Sequence, residues 1–592
     1  MQSGKVECEA LRDPLCRRAR PPPPPLAMLA SLPRSAWWLI AAALLVAWFS
    51  GIAVRKLQHP DEGRYAEIAR EMAATGDWVT PRLNGLKYFE KPPFQYWATA
   101  AAFRSFGARE WTARLVPALA GLLAAAIVGW TAARLGGPPA GVYAALALAG
   151  SFWHFAMSQL LTLDSVLSAW LATALCAFLL AQRDGLTQAA CRNWMLVAYS
   201  AAAGATLTKG LVGLVIPGAT LVLYTLATRD LGPWKRLHAL PGLAVYLLLT
   251  APWFLLVSRD NAEFAQFFFI HEHFERFLTN EHRREGSWYY FVPMFLAGIL
   301  PWLLIGAWTL RRSWRNAAAT TNGFAWPKFC LVWALFVFVF FSLSGSKLPS
   351  YILPMFPALA LVLGWQLAQL APRSLALLTL PLAILSSLLA IGVVVALAGF
   401  IPDLADANTP AEVFRAFAPW IAAAVGVMAA GAIAACLMFR RGTDAAKSLG
   451  IAALALCTVA GLQLGFVGYD AFRATRSAYD LVRGAESAEG GSGGGPFDPR
   501  IPVYQVRTYD QTLPFYLGRT TTLVAYRDEM ALGLDSEPGL GIATEAAWIP
   551  QWKALPQGYA LIRLDDYAAL AAQDVPMRVV AHDLRRVFVA RN

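Results

Sequence analysis

Two adjacent carboxylates, Asp61 and Glu62, follow an apolar run directly, and a cation and a phenol come next in Gly63-Arg64-Tyr65. Carboxylates beside a membrane span are costly unless something pairs with them, so this pair reads as a candidate site. Further on, Tyr88-Phe89-Glu90-Lys91-Pro92-Pro93 crowds a phenol, a carboxylate and an ammonium together. A plainer reading stays open for the same stretch. Residues 66–74 carry helical period, and an interfacial helix with an aromatic belt and snorkelling Lys and Arg would look alike.

Three further places hold groups of the same kind. The segment 259–287 contains His271-Glu272-His273-Phe274-Glu275-Arg276-Phe277 and, later, Arg283. His271 and Glu275 share a helix face, which suits either a metal ion or a solvated surface; Arg276 and Arg283 are cations able to grip a phosphate through two nitrogens. The turn Ser344-Gly345-Ser346-Lys347-Leu348-Pro349-Ser350-Tyr351 sets one ammonium and one phenol between two apolar runs. Asp164 follows Thr162-Leu163 at the start of another run. Either it caps the helix it opens, or it faces the same cavity as Asp61.

These residues sit between long apolar stretches. The chain of 592 residues is 57% hydrophobic and 15% charged; soluble domains carry about 25% charged residues, so the class is a polytopic α-helical membrane protein. Runs of roughly 20 apolar residues, the length of one crossing, number about 13 between residues 36 and 468, among them 36–54, 140–158, 194–208, 210–228, 288–310 and 374–400. The net charge of +12 falls in short clusters between these runs, the pattern of a membrane protein and not of one that binds nucleic acid. One alternating set of loops carries Arg134, Arg183 with Arg192, Lys235 with Arg236, Arg311 with Arg312, and Arg440 with Arg441. Excess Lys and Arg marks cytoplasmic loops, so residues 55–111, 259–287 and 475–592 are expected on the outer side.

The ends of the chain differ from its middle. Residues 1–35, with the proline run Pro21 to Pro25, read as a low-complexity cytoplasmic tail. Residues 36–470 form the membrane domain. After a flexible Gly490–Gly495 linker, alternating runs at 503–506, 522–526, 560–563 and 586–589 predict strands, and 565–573 predicts a helix. A small α/β domain over 475–592 is therefore expected. The seven cysteines form no CxxC pair and no disulfide framework.

The Asp61-Glu62 pair resembles the opening of the first outer loop in C-fold membrane glycosyltransferases, which take sugars from polyprenyl-phosphate carriers. More specifically, Arg64-Tyr65-Ala66-Glu67-Ile68, Gly76-Asp77-Trp78, Tyr88 to Pro93, Ser346-Lys347-Leu348-Pro349 and Tyr509-Asp510-Gln511-Thr512-Leu513-Pro514-Phe515-Tyr516 resemble the ArnT family of aminoarabinose transferases. The resemblance implies inverting transfer of 4-amino-4-deoxy-L-arabinose from undecaprenyl phosphate to lipid A phosphates, at the periplasmic face of the bacterial inner membrane, by a monomer. It further implies Asp61 and Asp164 as catalytic carboxylates. The donor phosphate would be bound by Lys91, Arg64, Lys347, Arg276 and the hydroxyls of Tyr88 and Tyr351. Glu90 either holds Lys91 or joins His271 around a divalent metal such as zinc.

Two rival readings stand against this one. A sibling enzyme of the same fold would glycosylate a protein or another glycolipid, with Asp61 as a true base for a hydroxyl acceptor. A transporter would place its unusual charges near the middle of the bilayer, whereas here they crowd one surface.

Overall fold

The structure, a computed structural model, describes residues 32–275, 286–315, 322–397, 399, 409–489 and 498–591, with the backbone alone for 271–275. The N-terminal 31 residues, the Gly490–Gly495 linker, Arg276 and Arg283 lie outside the described residues.

The helices follow the apolar runs. In chain order they are α1 (Arg34–Phe49), α2 (Asp61–Thr75), α3 (Phe94–Phe106), α4 (Glu110–Gly136), α5 (Pro138–Ala149), α6 (Phe152–Ser158), α7 (Asp164–Ala181), α8 (Gln188–Lys209), α9 (Val212–Thr228) and α10 (Ala239–Asp260). After a π-helical stretch at Gln266–Glu275 come α11 (Phe291–Gly298), α12 (Leu303–Arg315), α13 (Trp326–Leu343), α14 (Phe356–Gln369), α15 (Pro372–Leu397), α16 (Ala411–Arg440) and α17 (Asp444–Gly468). Among the described residues, 8 helices are long and apolar enough to cross a membrane, or up to 10 if each bent pair counts as one crossing.

Each predicted run meets a helix or a bent pair, but not all are straight crossings. The run 288–310 is split into α11 and α12, which meet at 103°. Pro301 lies in the break, where it offers no backbone N–H and disfavours helix at the residue before it. The run 140–158 likewise bends by 63° between α5 and α6, at Gly150-Ser151. The helices α1 and α9 are shorter than a full crossing.

The C-terminal part folds into a six-stranded sheet ordered β5-β4-β3-β6-β8-β7, with β3 (Val503–Val506), β4 (Thr522–Val524), β5 (Gly541–Ile542), β6 (Tyr559–Arg563), β7 (Arg578–His582) and β8 (Arg586–Ala590). Four strands, β5 to β6 across the sheet, run parallel; β8 pairs antiparallel with β6 and β7 with β8. The predicted helix stands at Leu564–Ala571. The strands β5 and β7 had no forecast: β5 is two residues long, and β7 has no buried face to betray it.

A two-stranded hairpin, β1 (Arg82–Leu83) with β2 (Leu86–Lys87), leads from α2 toward α3. The helix α2 does not lie on a membrane surface as an interfacial helix would. Ten of its 15 residues are buried, Glu62, Arg64, Glu67 and Glu71 among them. It is clamped between the helical bundle and the C-terminal sheet domain. The clamp is tight at Gly63, where a Cβ would stand 2.7 Å from the backbone of Gln511 and Thr512.

Candidate active site

The start of α2 is organised by a buried ion cluster. Glu62 accepts two hydrogen bonds from Arg114 at 2.8 Å, two from Arg55 at 3.3 Å, and one from the backbone N–H of Leu161 at 3.2 Å. Burial alone pushes the Glu62 carboxyl up, but Arg114 and Arg55 outweigh it and hold the group at about 2. Arg114 also donates to the carbonyls of Ile52, Arg55 and Lys56, which ties the end of the first apolar run to α4. Of the adjacent pair, Glu62 is thus a structural anchor.

Asp61 has the opposite surroundings. Its side chain is 46% exposed, and its ion-pair partner is Arg64 at 2.9 Å. Arg64 is buried and reaches past Asp61 to Glu529 of the C-terminal domain at 2.5 Å. Tyr88 and Glu90 lie close enough to act on the same guanidinium. The Tyr88 hydroxyl is buried with no hydrogen-bond partner among the described residues. Burial pushes this phenol well above its ordinary value, so it is a proton donor at neutral pH. Lys91 is half-buried and donates to the carbonyl of Glu90 at 2.6 Å.

Asp164 is the first residue of α7 and Leu163 holds the N-cap position, so the capping reading is corrected. Its carboxylate is instead paired with Lys209 at the end of α8. The ammonium of Lys209 also stands 4.5 Å from the ring centre of Tyr351, within range of a cation–π contact. Lys347 lies on the turn just before, donating to the carbonyl of Ser344 at 2.9 Å.

Two links put both groups at one end of the bundle. Leu161, just before Asp164, donates to Glu62; Phe89, next to Tyr88 and Glu90, packs in one buried cluster with Leu207, two residues from Lys209. Asp61, Arg64, Tyr88 and Glu90 thus form one constellation and Asp164, Lys209 and Tyr351 a neighbouring one. The arrangement offers an accessible carboxylate, a phenol donor and several cations at a membrane surface, a set suited to holding a phosphate beside a sugar.

Agreement with a solved structure extends over this whole arrangement. The ArnT from Cupriavidus metallidurans, crystallised bound to undecaprenyl phosphate, superposes with a TM-score of 0.86 at 38% identity, over 94% of this chain and 98% of that one. The chain belongs to the ArnT family. Consistently, residues 496–591 match the aminoarabinose transferase C-terminal domain, and residues 37–274 match the dolichyl-phosphate-mannose-protein mannosyltransferase family. The undecaprenyl phosphate-alpha-4-amino-4-deoxy-L-arabinose arabinosyl transferase of Edwardsiella ictaluri (strain 93-146) is 33% identical over 339 residues, 57% of this chain and 60% of that relative. The enzyme of the same name from Pseudomonas aeruginosa (strain UCBPP-PA14) is 33% identical over 363 residues, 60% of this chain and 64% of that relative. The aligned stretches therefore span less than two thirds of these curated relatives.

Within this ArnT-family chain, Arg276 and the side chain of His271, both predicted for the site, lie outside the described part. Among the described residues no three His, Cys, Asp or Glu side chains gather as a metal site; Glu90 stands in the field of Arg64. Sequence reasoning missed Lys209, Glu529, Arg55 and Arg114. A signal existed for two of them. Arg114 and Lys209 are ionisable residues at the edges of apolar runs, where an unpaired charge is costly.

Proposed function

We propose that this protein transfers 4-amino-4-deoxy-L-arabinose from undecaprenyl phosphate to lipid A phosphates, with inversion at the anomeric carbon. The observation that carries this reading is the near full-length likeness to an ArnT crystallised with undecaprenyl phosphate. A lipid A phosphate is already an anionic nucleophile, so no strong base is needed. One of its oxygens attacks the anomeric carbon from the face opposite the donor phosphate; the bond from that carbon to the donor phosphate oxygen breaks, and undecaprenyl phosphate leaves with the electron pair. Lys91, Lys347, Arg276 and the hydroxyls of Tyr88 and Tyr351 stabilise the charge that gathers on the leaving phosphate. Arg64, expected on the donor phosphate, is held by two carboxylates and positions Asp61 instead, which faces the amino sugar and pairs with its ammonium; Asp164 acts with Lys209.

The same proposal sets the protein in the inner membrane as a monomer with some 13 crossings, its carboxylate end and the C-terminal domain in the periplasm. Support comes from the loops at the opposite end, which carry Arg134, Arg183, Arg236 and Arg440. A thiol introduced at exposed Ser287 should react with an impermeant reagent in intact spheroplasts of a cysteine-free variant, and one at exposed Arg192 should not. Native Cys191 cannot serve as the inside marker because it is buried. Equal labelling at both positions would refute the orientation.

Lys91→Ala and Lys347→Ala should each slow transfer by about tenfold to a hundredfold, less than for an enclosed oxyanion donor because the site borders water. Wild-type turnover in both would move the phosphate site elsewhere. The decisive test of the substrate is mass spectrometry of lipid A from a Gram-negative strain that makes the aminoarabinose carrier but lacks its own transferase. Expression of this chain should add a pentosamine to lipid A and raise polymyxin resistance, since the added amine offsets the anionic charge that attracts polycations. Unmodified lipid A with ample donor and confirmed expression would reject the acceptor; a donor that is never consumed would reject the transferase.

A further inference from the structure

A groove of about 380 Å³ opens between α15 and α16, at the end of the bundle away from Asp61. Its walls are Leu380, Ile384, Leu388, Ile433 and Leu437, and Arg440 closes one end. These walls are uncovered: Ile384 is 52% exposed and Leu388 61%. Cys436 of α16 donates to the carbonyl of Ala376 of α15, which fixes the register of the antiparallel pair. One helical turn further along α16, Arg440 therefore comes opposite the start of α15, where Arg373 stands, with Arg441 adjacent. None of these three arginine side chains has a hydrogen bond or ion pair among the described residues, and all are exposed.

Three like charges at the mouth of an apolar groove call for an anion that carries an apolar chain. We infer that the groove binds an anionic phospholipid of the adjoining leaflet, phosphatidylglycerol in type, with its phosphate against Arg373, Arg440 and Arg441 and one acyl chain lying along α15 and α16. From Leu380 to Leu388 the helix rises about 12 Å, a length that an acyl chain covers easily. Basic pockets between spans at the positively charged side of a membrane protein recognise lipid headgroups in this way, each cation contributing about a fivefold gain. The site is separate from the one for sugar transfer, because it lies between α15 and α16, whereas Asp164 opens α7 and Tyr351 precedes α14.

Native mass spectrometry of the purified full chain, with phosphatidylglycerol or zwitterionic phosphatidylethanolamine added to the detergent, tests the site. The wild type should retain one phosphatidylglycerol under conditions that strip phosphatidylethanolamine. Arg440→Gln should weaken this adduct about fivefold, and the triple change Arg373→Gln, Arg440→Gln, Arg441→Gln by a hundredfold or so. Leu388→Trp, which fills the groove and leaves every arginine in place, should also remove it. Equal retention of the two lipids by the wild type would overturn the site. So would an adduct that survives Leu388→Trp, since that outcome means a basic collar with no groove behind it.

Discussion

Asp61→Asn should lower sugar transfer by roughly a hundredfold to a thousandfold while the protein remains folded, the range over which removing one positioned electrostatic partner acts on a reaction. The substitution keeps the shape and the hydrogen-bonding oxygen but deletes the charge. Little of the fold depends on that charge. The side chain is 46% exposed, and Arg64 retains Glu529 when Asp61 is neutral. Loss of an acidic group from the first turn of α2 costs about 0.3–1 kcal/mol through the helix dipole, which is small against a transmembrane fold. Turnover in proteoliposomes and the thermal midpoint of the purified protein should therefore separate cleanly. A variant that transfers sugar at the wild-type rate would leave Asp61 with a structural role only.

The neighbouring substitution should do the reverse. Glu62→Ala strips the shared partner from Arg55 and Arg114, whose side chains are 3% and 1% exposed, and leaves two cations buried without compensation. Breaking a buried pair from one side costs about 3–5 kcal/mol. The expected result is a large fall in the yield of folded protein and a lower thermal midpoint, with activity lost in proportion. The pH response has a definite sign. The Glu62 carboxyl is held at about 2, below its ordinary 4.5, so its contribution is fully present above pH 4.5 and disappears as pH falls toward 2. Wild-type protein should accordingly lose more stability than Glu62→Gln between those pH values. Normal yield and thermal midpoint for Glu62→Ala would mean that the ion cluster does not anchor α2.

The contrast between Asp61 and Glu62 marks where the sequence could be read and where it could not. The pair itself was conspicuous, since adjacent carboxylates after an apolar run demand partners. Which of the two faces solvent depends on helix phase: Glu62 points at α4 and the turn before α7, and Asp61 points away. The partners come from distant parts of the chain, Arg114 52 residues on and Glu529 from the C-terminal domain, and no local pattern announces such pairings. The same holds for Asp164, where the choice between cap and cavity turned on Lys209, 45 residues away. Long apolar runs were legible because each must satisfy its backbone within itself. The short edge strand β5 and the break at Pro301 were not, since both depend on what packs around them.

The clamp on α2 limits how such a chain can be taken apart. Arg64 pairs with Glu529, Asn84 exchanges hydrogen bonds with Thr521, Arg82 pairs with Glu537, and the Tyr516 hydroxyl accepts from the backbone of Leu57. The helix that presents Asp61 therefore has one wall supplied by the membrane bundle and the other by residues more than four hundred positions later. The C-terminal domain is not an appendage that can be traded between relatives as a cassette. A hybrid that joins one homologue's bundle to another's sheet inherits two half-walls never fitted to each other, and the misfit is felt first at the carboxylate. A change at Gly63, Arg64, Asn84, Gln511 or Glu529 therefore alters the fit of both walls at once.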